Sequence, residues 1–184
     1  AVISSLSQHP LPNPSPSGRG AECELDRLSG LEQQPFAALN GAFWEDGALI
    51  HLPRGTVLEM PVHVIFYATG GDMAVYPRLL LTLEDGAQAS VVVEYRGQGR
   101  SLNAPVTELH LGDGATLAYH QLQEESAQAF HLGAIRLRQG RDSQTQLHLL
   151  SFGGQLARTD LEVLLDGEHA HCLLNGLTVG RENQ

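Results

Sequence analysis

Apolar and polar residues alternate with a period of two from about Ala48 to the end of the chain. Ile50 and Leu52 flank His51, for example, and similar alternation recurs in the later segments. Successive side chains of a β-strand point to opposite faces, so each segment predicts a strand with one apolar face. The pattern predicts an all-β domain over residues 45–184.

The residues before this domain follow a different pattern. Four prolines stand at every second position between residues 10 and 16, among Ser and Gly. Proline cannot donate a backbone hydrogen bond, so we expect a flexible, disordered Pro/Ser-rich arm or linker over residues 1–24. Over residues 25–44 the apolar positions recur at spacings of three to five, which predicts a short helical segment, with Pro35 in a first turn.

Asp-Gly turn signals divide the β domain at Asp46, Asp85, Asp113 and Asp166. The differences between these positions, 39, 28 and 53 residues, show no strict repeat. Stacked coils of variable length would tolerate such spacing, which favours a parallel β-helix. A jelly-roll or cupin sandwich is the alternative. Near Gly133 the apolar positions change phase, which predicts a bulge or corner.

Composition excludes several classes of function. A chain of 184 residues with 42% hydrophobic content forms one domain. Its net charge of −10 and lack of an Arg-rich run argue against nucleic acid and membrane partners. All 11 basic residues are arginine, so there is no Walker A lysine, and any ATP chemistry must come from a partner. The sequence contains no signal peptide or membrane span, so we expect a soluble, cytoplasmic protein.

The densest group of metal-ligating residues is His169-Ala170-His171-Cys172. If this segment is a strand, His169 and His171 point to the same face, as in half of a cupin metal site. The glutamate expected a few residues later is absent, so the simpler interpretation is a solvated histidine pair. No metal site is predicted, and His169 and His171 remain candidates only under the alternative of a cupin-like metal-binding enzyme.

Other titratable residues are open to two interpretations. Four histidines lie on the strand face opposite the apolar one, where stacked coils about 4.8 Å apart would allow a histidine ladder. Scattered, unrelated positions are the alternative. These histidines are His51, His63, His110 and His148. The acidic pair Glu124-Glu125 lies in the polar segment QEESAQ and is interpreted as solvated charge.

The chain contains only Cys23 and Cys172. An iron–sulfur cluster usually needs four thiolates, so the chain cannot hold one alone. Cys172 has apolar neighbours and is interpreted as a small core side chain. No Gly-x-Ser-x-Gly nucleophile motif is present, so we predict that the chain is not an enzyme.

Several segments between Leu31 and Arg181 resemble one known family. They are LNGAFWEDGALIHLPRG (39–55), a Glu-x-Pro (59–61), PRLLLTLEDGAQASVVVEY (77–95), ELHLGDGATLAYHQLQEES (108–126) and FGGQLARTDLEVLLDGEHAHCLLNGL (152–177). Together they resemble the core domain of the SufB/SufD family of iron–sulfur cluster assembly scaffold proteins. The resemblance implies a right-handed parallel β-helix and a noncatalytic role.

Within this family the chain resembles SufD more than SufB. SufB proteins typically carry Glu-Gly-Cys where this chain has Glu94-Tyr95-Arg96. The resemblance implies a scaffold subunit of a SufB–SufC–SufD complex, with a SufB paralogue and the SufC ATPase as partners. The iron–sulfur cluster and ATP then belong to the complex, and this chain holds no cofactor.

The end of the chain also differs from the family. Family members continue beyond the position of Gln184 with further strands and a helical domain that docks SufC, so the β-helix over residues 45–184 is expected to be incomplete. An incomplete β-helix exposes unpaired backbone groups and apolar side chains. We therefore expect this end to associate with a neighbouring chain, which can be a second copy in a homo-oligomer.

Overall fold

A computed structural model describes residues 2–5 and 35–180 of the protein. Within these ranges the chain forms one short helix and a series of strands. In chain order the elements are β1 (Val2–Ser5), α1 (Pro35–Phe43), β2 (Gly47–Leu52), β3 (Val62–Ala68), β4 (Met73–Val75), β5 (Arg78–Leu83), β6 (Gln88–Gly97), β7 (Ser101–Asn103), β8 (Val106–Leu111), β9 (Thr116–Glu124), β10 (Phe130–Gln139), β11 (Gln144–Ser151), β12 (Leu156–Leu165) and β13 (His171–Thr178).

The strands form two sheets of a β-solenoid with about five turns. The first sheet has the order β1-β2-β5-β8-β10-β7-β4, with β12 also pairing with β10, and the second has the order β13-β11-β9-β6-β3. All strand pairs between successive coils are parallel. The predicted parallel β-helix is confirmed. The jelly-roll alternative was wrong, because that fold is built from antiparallel sheets.

The coils are more regular than the Asp-Gly spacing indicated. Cα partners in consecutive coils of the second sheet follow one another every 28 residues: Val91, Tyr119 and Leu147. The separation of 53 residues between Asp113 and Asp166 spans two coils, because the turn between them reads Arg141-Asp142 instead of Asp-Gly. Coil length does vary, from 26 residues between Phe130 and Leu156 to 31 between Gly47 and Arg78, but less than the Asp-Gly spacing indicated, because the turn residues vary as well.

One turn of each coil contains a residue in the left-handed backbone region. These residues have φ values between 55° and 68° and stack along one edge of the solenoid: Gly55, Gly86, Gly114, Asp142 and His169. The backbone N–H of Gly114 donates to the carbonyl of Arg141 at 2.7 Å, so each turn is bonded to the next. Glycine adopts this conformation without steric cost.

The apolar core fills the space between the two sheets. Its inward side chains come from consecutive coils and are almost fully buried: Ile50, Leu52, Leu79, Leu81, Leu83, Val91, Val93, Leu109, Leu117, Ile135, Leu137 and Leu147. Burial of such side chains contributes about 1.5–3 kcal/mol each relative to exposure. The buried ring of Tyr95 stacks on the half-buried ring of Phe66, with centroids 5.4 Å apart.

The segment around Gly133 is not a bulge. Strand β10 passes through it without interruption, while the neighbouring strands break at Pro77 and Pro105. The odd-numbered residues of β10 face inward, and among them His131 is buried. The alternation of apolar and polar residues changes phase in the sequence because a polar residue, His131, occupies an inward position of the strand. The prediction of a corner holds only for the neighbouring coils.

Both N-terminal elements contact the solenoid. Pro35 begins α1, as predicted, while residues 6–34, which include most of the predicted arm, lie outside the described residues. Residues 2–5 form β1, which pairs antiparallel with β2; the prediction of an arm over residues 1–24 missed this strand. Within the described residues no helix is long and apolar enough to cross a membrane.

Helix α1 packs against the solenoid through Ala37 and is hydrogen-bonded to it through the buried side chain of Asn40. The Nδ2 atom of Asn40 donates to the carbonyl of Ala104 at 2.8 Å and to that of Pro77 at 3.1 Å. These carbonyls belong to corners of two consecutive coils. Asn40 therefore gives the Ala104 carbonyl a donor and adds a second donor to the Pro77 carbonyl, which also accepts from the N–H of Val106 at 3.0 Å.

Candidate functional site

The two candidate metal ligands do not share a strand. His169 lies in the turn before β13, with a φ of 60°, and His171 is the first residue of that strand. The Nδ1 atom of His169 lies 3.3 Å from Oδ1 of Asp142 in the preceding turn. The expected strand geometry was wrong because the turn of this coil extends through residue 170. Within the described residues no three His, Cys, Asp or Glu side chains are grouped to hold a metal ion.

The outward histidines form one stacked pair. The ring of His148 stacks on that of His120 in the adjacent coil, with centroids 4.9 Å apart. His63 occupies the same column, but Val92 lies between it and His120. The ladder considered among His51, His63, His110 and His148 is not formed, and of these four only His148 stacks on another histidine. Its partner His120 was missed because the alternation within one strand does not show which residue of the next coil lies beside it.

His51 and His110 occupy another column, where Thr82 separates them. The Nε2 atom of His51 lies 3.0 Å from Oε1 of Glu84. The backbone N–H of Arg54 and the His51 ring both donate to Glu84, and these hydrogen bonds lower the pKa of its carboxyl group. These two histidines belong to separate local networks and do not stack.

A buried polar cluster lies inside the solenoid, beside the apolar core. We define this interior polar cluster by Asn103, Gln123, Glu125 and His131, all nearly inaccessible to solvent. The carboxylate of Glu125 accepts hydrogen bonds from Asn103 Nδ2 at 2.7 Å, Gln123 Nε2 at 2.9 Å and His131 Nδ1 at 2.9 Å. Since Glu125 can only accept when ionised, the His131 proton must lie on Nδ1.

The environment of Glu125 favours its ionised form. Burial alone would raise the pKa of this carboxyl group, but the hydrogen bond and proximity of His131, together with the Gln123 and Asn103 amides, lower it below the usual value. Both carboxylate oxygens already have donors. The Glu125 carboxylate therefore connects neighbouring coils through hydrogen bonds to both of its oxygens. It is not presented to a reactant.

The sequence interpretation of the pair Glu124-Glu125 was wrong for one residue. Glu124 is exposed and pairs with Arg96 at 3.2 Å, as expected of solvated charge, whereas Glu125 is buried. Gly153 of the next coil lies against the Glu125 backbone, and a Cβ atom there would stand 2.3 Å from the Glu125 carbonyl oxygen. Gly153 was therefore a weak indication, in the sequence, that two coils pack closely at this position.

A polar groove of about 790 Å³ follows the stacked turns along the edge of the solenoid. Its arginines are paired with carboxylates of neighbouring turns: Arg54 with Asp85 at 3.2 Å, and Arg138 with Asp166. Such exposed pairs contribute only about 0–1 kcal/mol to stability. The groove therefore presents charged side chains that a protein partner could engage at little cost to the fold.

Cys172 faces the interior of the last described coil. It is half-buried and packs against the apolar core, and burial raises the pKa of its thiol. A thiol of this kind is less reactive than an exposed one because less of it is ionised. The predicted core position of Cys172 is confirmed, and Cys23 lies outside the described residues.

The fold and its interior define a class of protein: a parallel β-solenoid in which each coil contributes to both of two sheets, the first sheet taking two short strands from each of two coils. A family model described as the SUF system FeS cluster assembly SufBD core domain matches residues 66–184, more than half of the chain. The chain belongs to this SufBD core domain family, and the recognition made from the sequence segments is confirmed.

Similar proteins carry related descriptions. An iron–sulfur cluster assembly SufBD family protein of Synechocystis is 28% identical over 156 residues, which are 78% of this chain and 34% of that protein. The SufD protein of Bacillus subtilis is 22% identical over 84% of this chain and 36% of its own length. Bacillus subtilis SufB is 27% identical over 53% of this chain and 22% of its own length. The chain spans about a third or less of these relatives.

Proposed function

We propose that this chain is a SufD-like scaffold in a SufB–SufC–SufD complex that assembles iron–sulfur clusters in the cytoplasm, and that it catalyses no reaction by itself. Membership in the SufBD core domain family is the observation that carries this proposal. A role in iron–sulfur cluster assembly follows from the family description and the relatives. The cluster is the product of the complex, and SufC supplies ATP hydrolysis.

The choice of SufD over SufB is supported by the residues of β6. Where the SufB pattern has Glu-Gly-Cys, Tyr95 is buried in the core and lies edge-on to His131. Arg96 next to it pairs with Glu94 and Glu124. This position therefore carries structural side chains and no thiol, which agrees with a scaffold that does not itself accept sulfur here.

The geometry of the solenoid supports a scaffold role. Each coil is bonded to the next through both sheets and the stacked turns, so the fold is held along its whole length. Exposed leucines on the outermost strands β12 and β13, such as Leu164 and Leu174, offer an apolar surface to another strand. That strand can come from the same polypeptide or from a partner, including a second copy.

The proposal is tested by mixing the chain with SufB and SufC and measuring complex masses by size exclusion with light scattering. A version extended to the length of the relatives is run in parallel, because partner contacts can lie outside residues 1–184. Joining by either version supports the proposal. If neither joins, the proposed complex is rejected.

The mass of the chain alone, measured over a range of concentrations, tests self-association.

A reconstitution assay tests the functional part. Cluster formation by SufB and SufC is followed by visible absorbance with and without the extended chain, and SufC ATP hydrolysis is measured alongside. We expect the chain to increase cluster formation while hydrolysing no ATP in the absence of SufC. ATP hydrolysis by the chain alone would contradict the noncatalytic assignment.

A further inference from the structure

The stacked histidines join three consecutive coils on the outer face of the second sheet. His120 of β9 and His148 of β11 are Cα partners, and their rings lie 4.9 Å apart with planes inclined by only 9°. On the other side, Nδ2 of Asn175 in β13 lies 3.3 Å from Nδ1 of His148 and donates to it. The column His120–His148–Asn175 therefore links β9, β11 and β13.

This arrangement depends on the protonation of His148. An imidazole nitrogen accepts a hydrogen bond from an amide only while it carries no proton. A charged His148 would carry protons on both nitrogens, so it would lose the bond to Asn175. If His120 were also charged, two like charges would face each other with their ring centroids 4.9 Å apart.

Few other charges act on the pair. The remaining titratable side chains of this face come from β3, β6, β9 and β13: His63, Tyr67, Glu94, Arg96, Glu124 and His171. The nearest carboxylates already have partners, since Glu94 pairs with His63 at 2.9 Å and with Arg96, and Glu124 pairs with Arg96. Within the described residues the column itself contains no carboxylate that would compensate two imidazolium charges.

We propose that His120, His148 and Asn175 form a proton-responsive contact that holds β9, β11 and β13 together while the rings are neutral and weakens when both are charged. This inference is independent of the assembly role proposed above. It assigns a pH-sensitive element to the outer face of a solenoid whose other coil contacts are mainly apolar or backbone bonds.

The direction of the effect follows from the titration of the pair. Burial, and then the proximity of His148, lower the pKa of His120 below its usual value. The unfolded chain therefore binds this proton more readily than the folded chain does. The stabilisation by the neutral pair is fully present above the unfolded histidine pKa of about 6.5 and is lost as the pH falls below it.

Histidine ring titration by NMR on the whole chain tests the coupling. In the unsubstituted protein we expect the midpoint of His120 to lie below its usual value, because burial and the neighbouring His148 ring both lower its pKa. In the His148→Asn variant, the midpoint of His120 should move up toward its usual value. The control His171→Asn removes an exposed histidine from β13 and should leave the midpoint of His120 unchanged. Equal His120 midpoints in the unsubstituted and His148→Asn proteins would overturn the proposal.

Hydrogen exchange tests the structural consequence. After correction for the intrinsic pH dependence of exchange, lowering the pH from about 8 to about 5 should speed exchange of the β11 and β13 amides severalfold. The double variant His120→Asn/His148→Asn should lack this increase. An equal increase in both proteins would overturn the proposal. If the double variant does not fold, Asn175→Ala replaces it, and in this variant a smaller pH effect on β13 than on β11 is expected; an unchanged effect would contradict the link to β13.

Discussion

The backbone N–H of Asp113 donates to Oδ1 of Asp85 in the preceding turn, across 3.0 Å. The next coil repeats this contact, since the N–H of Arg141 donates to Oδ1 of Asp113 at 2.9 Å. Asp85 and Asp113 therefore each cap an amide of the following turn. The series ends at Arg141, which has no carboxylate to offer the next coil.

Replacement of Asp113 by alanine should destabilise the fold by about 1 kcal/mol, because the N–H of Arg141 loses its acceptor. Asp113→Asn retains a side-chain oxygen and should cost less. Urea unfolding of the two variants measures the difference. Equal stability of Asp113→Ala and the unsubstituted protein would show that water replaces the carboxylate at no cost.

Alanine at Gly114 should cost about 1–2 kcal/mol in the free energy of unfolding. The φ of Gly114 is 65°, and no atom lies within 4 Å of a Cβ atom placed there, so the cost comes from the backbone conformation alone. Gly41 in α1 is the matched control, because its Cβ position is also open and its φ is ordinary. There, alanine should stabilise the protein by about 0.5–1 kcal/mol. Thermal unfolding of both variants should give shifts of opposite sign.

Glu125→Gln should destabilise the protein by about 2–4 kcal/mol, because an amide NH₂ would then face donors that now bind a carboxylate. The neighbouring Glu124→Gln is the control, since that carboxylate is exposed; it should change stability by less than about 0.5 kcal/mol. Urea unfolding at neutral pH makes the comparison. Similar values for the two variants would mean that Glu125 does not connect the coils.

The same variant tests the pH dependence. The pKa of Glu125 is lowered in the folded protein from its usual value of 4.5, so the stability it contributes is present above that pH and is lost as the pH falls through the folded value. The Glu125→Gln protein should therefore lose less stability than the unsubstituted protein between neutral pH and pH about 3. Parallel acid curves for the two proteins would contradict this assignment.

Asn40→Asp should destabilise the docking of α1 more than Asn40→Ala. The alanine variant removes the Asn40 donor from the Ala104 carbonyl, at a cost of about 1–3 kcal/mol, whereas the Pro77 carbonyl keeps its bond from the N–H of Val106. Aspartate adds a buried negative charge against those same oxygens. Trp44 is the single tryptophan and directly follows the helix, above the Arg78 guanidinium. Its fluorescence should change at lower urea in the aspartate variant, and the reverse order would refute the role of Asn40.

Much of the fold could be predicted from local sequence. Alternation around Ile50 and Leu52 indicated strands, and Pro35 correctly marked the beginning of a helix. Irregular Asp-Gly turns in an otherwise alternating chain favoured a solenoid over a sandwich. These features are local, because side-chain periodicity and turn conformation depend on residues a few positions apart.

The site depended on contacts that the sequence does not show. His120 meets His148 because coils 28 residues long bring these positions together. Glu125 turns inward toward His131, six residues further along the chain, across the turn between β9 and β10. His169, in contrast, lies in a turn and not beside His171 on a strand. The sequence alone determined the all-β character, the helix start and the turns at Asp85 and Asp113, but not those at Asp142 and His169. The tertiary structure decided which residues share a column and which polar groups are buried, because coil register is set by packing between distant segments.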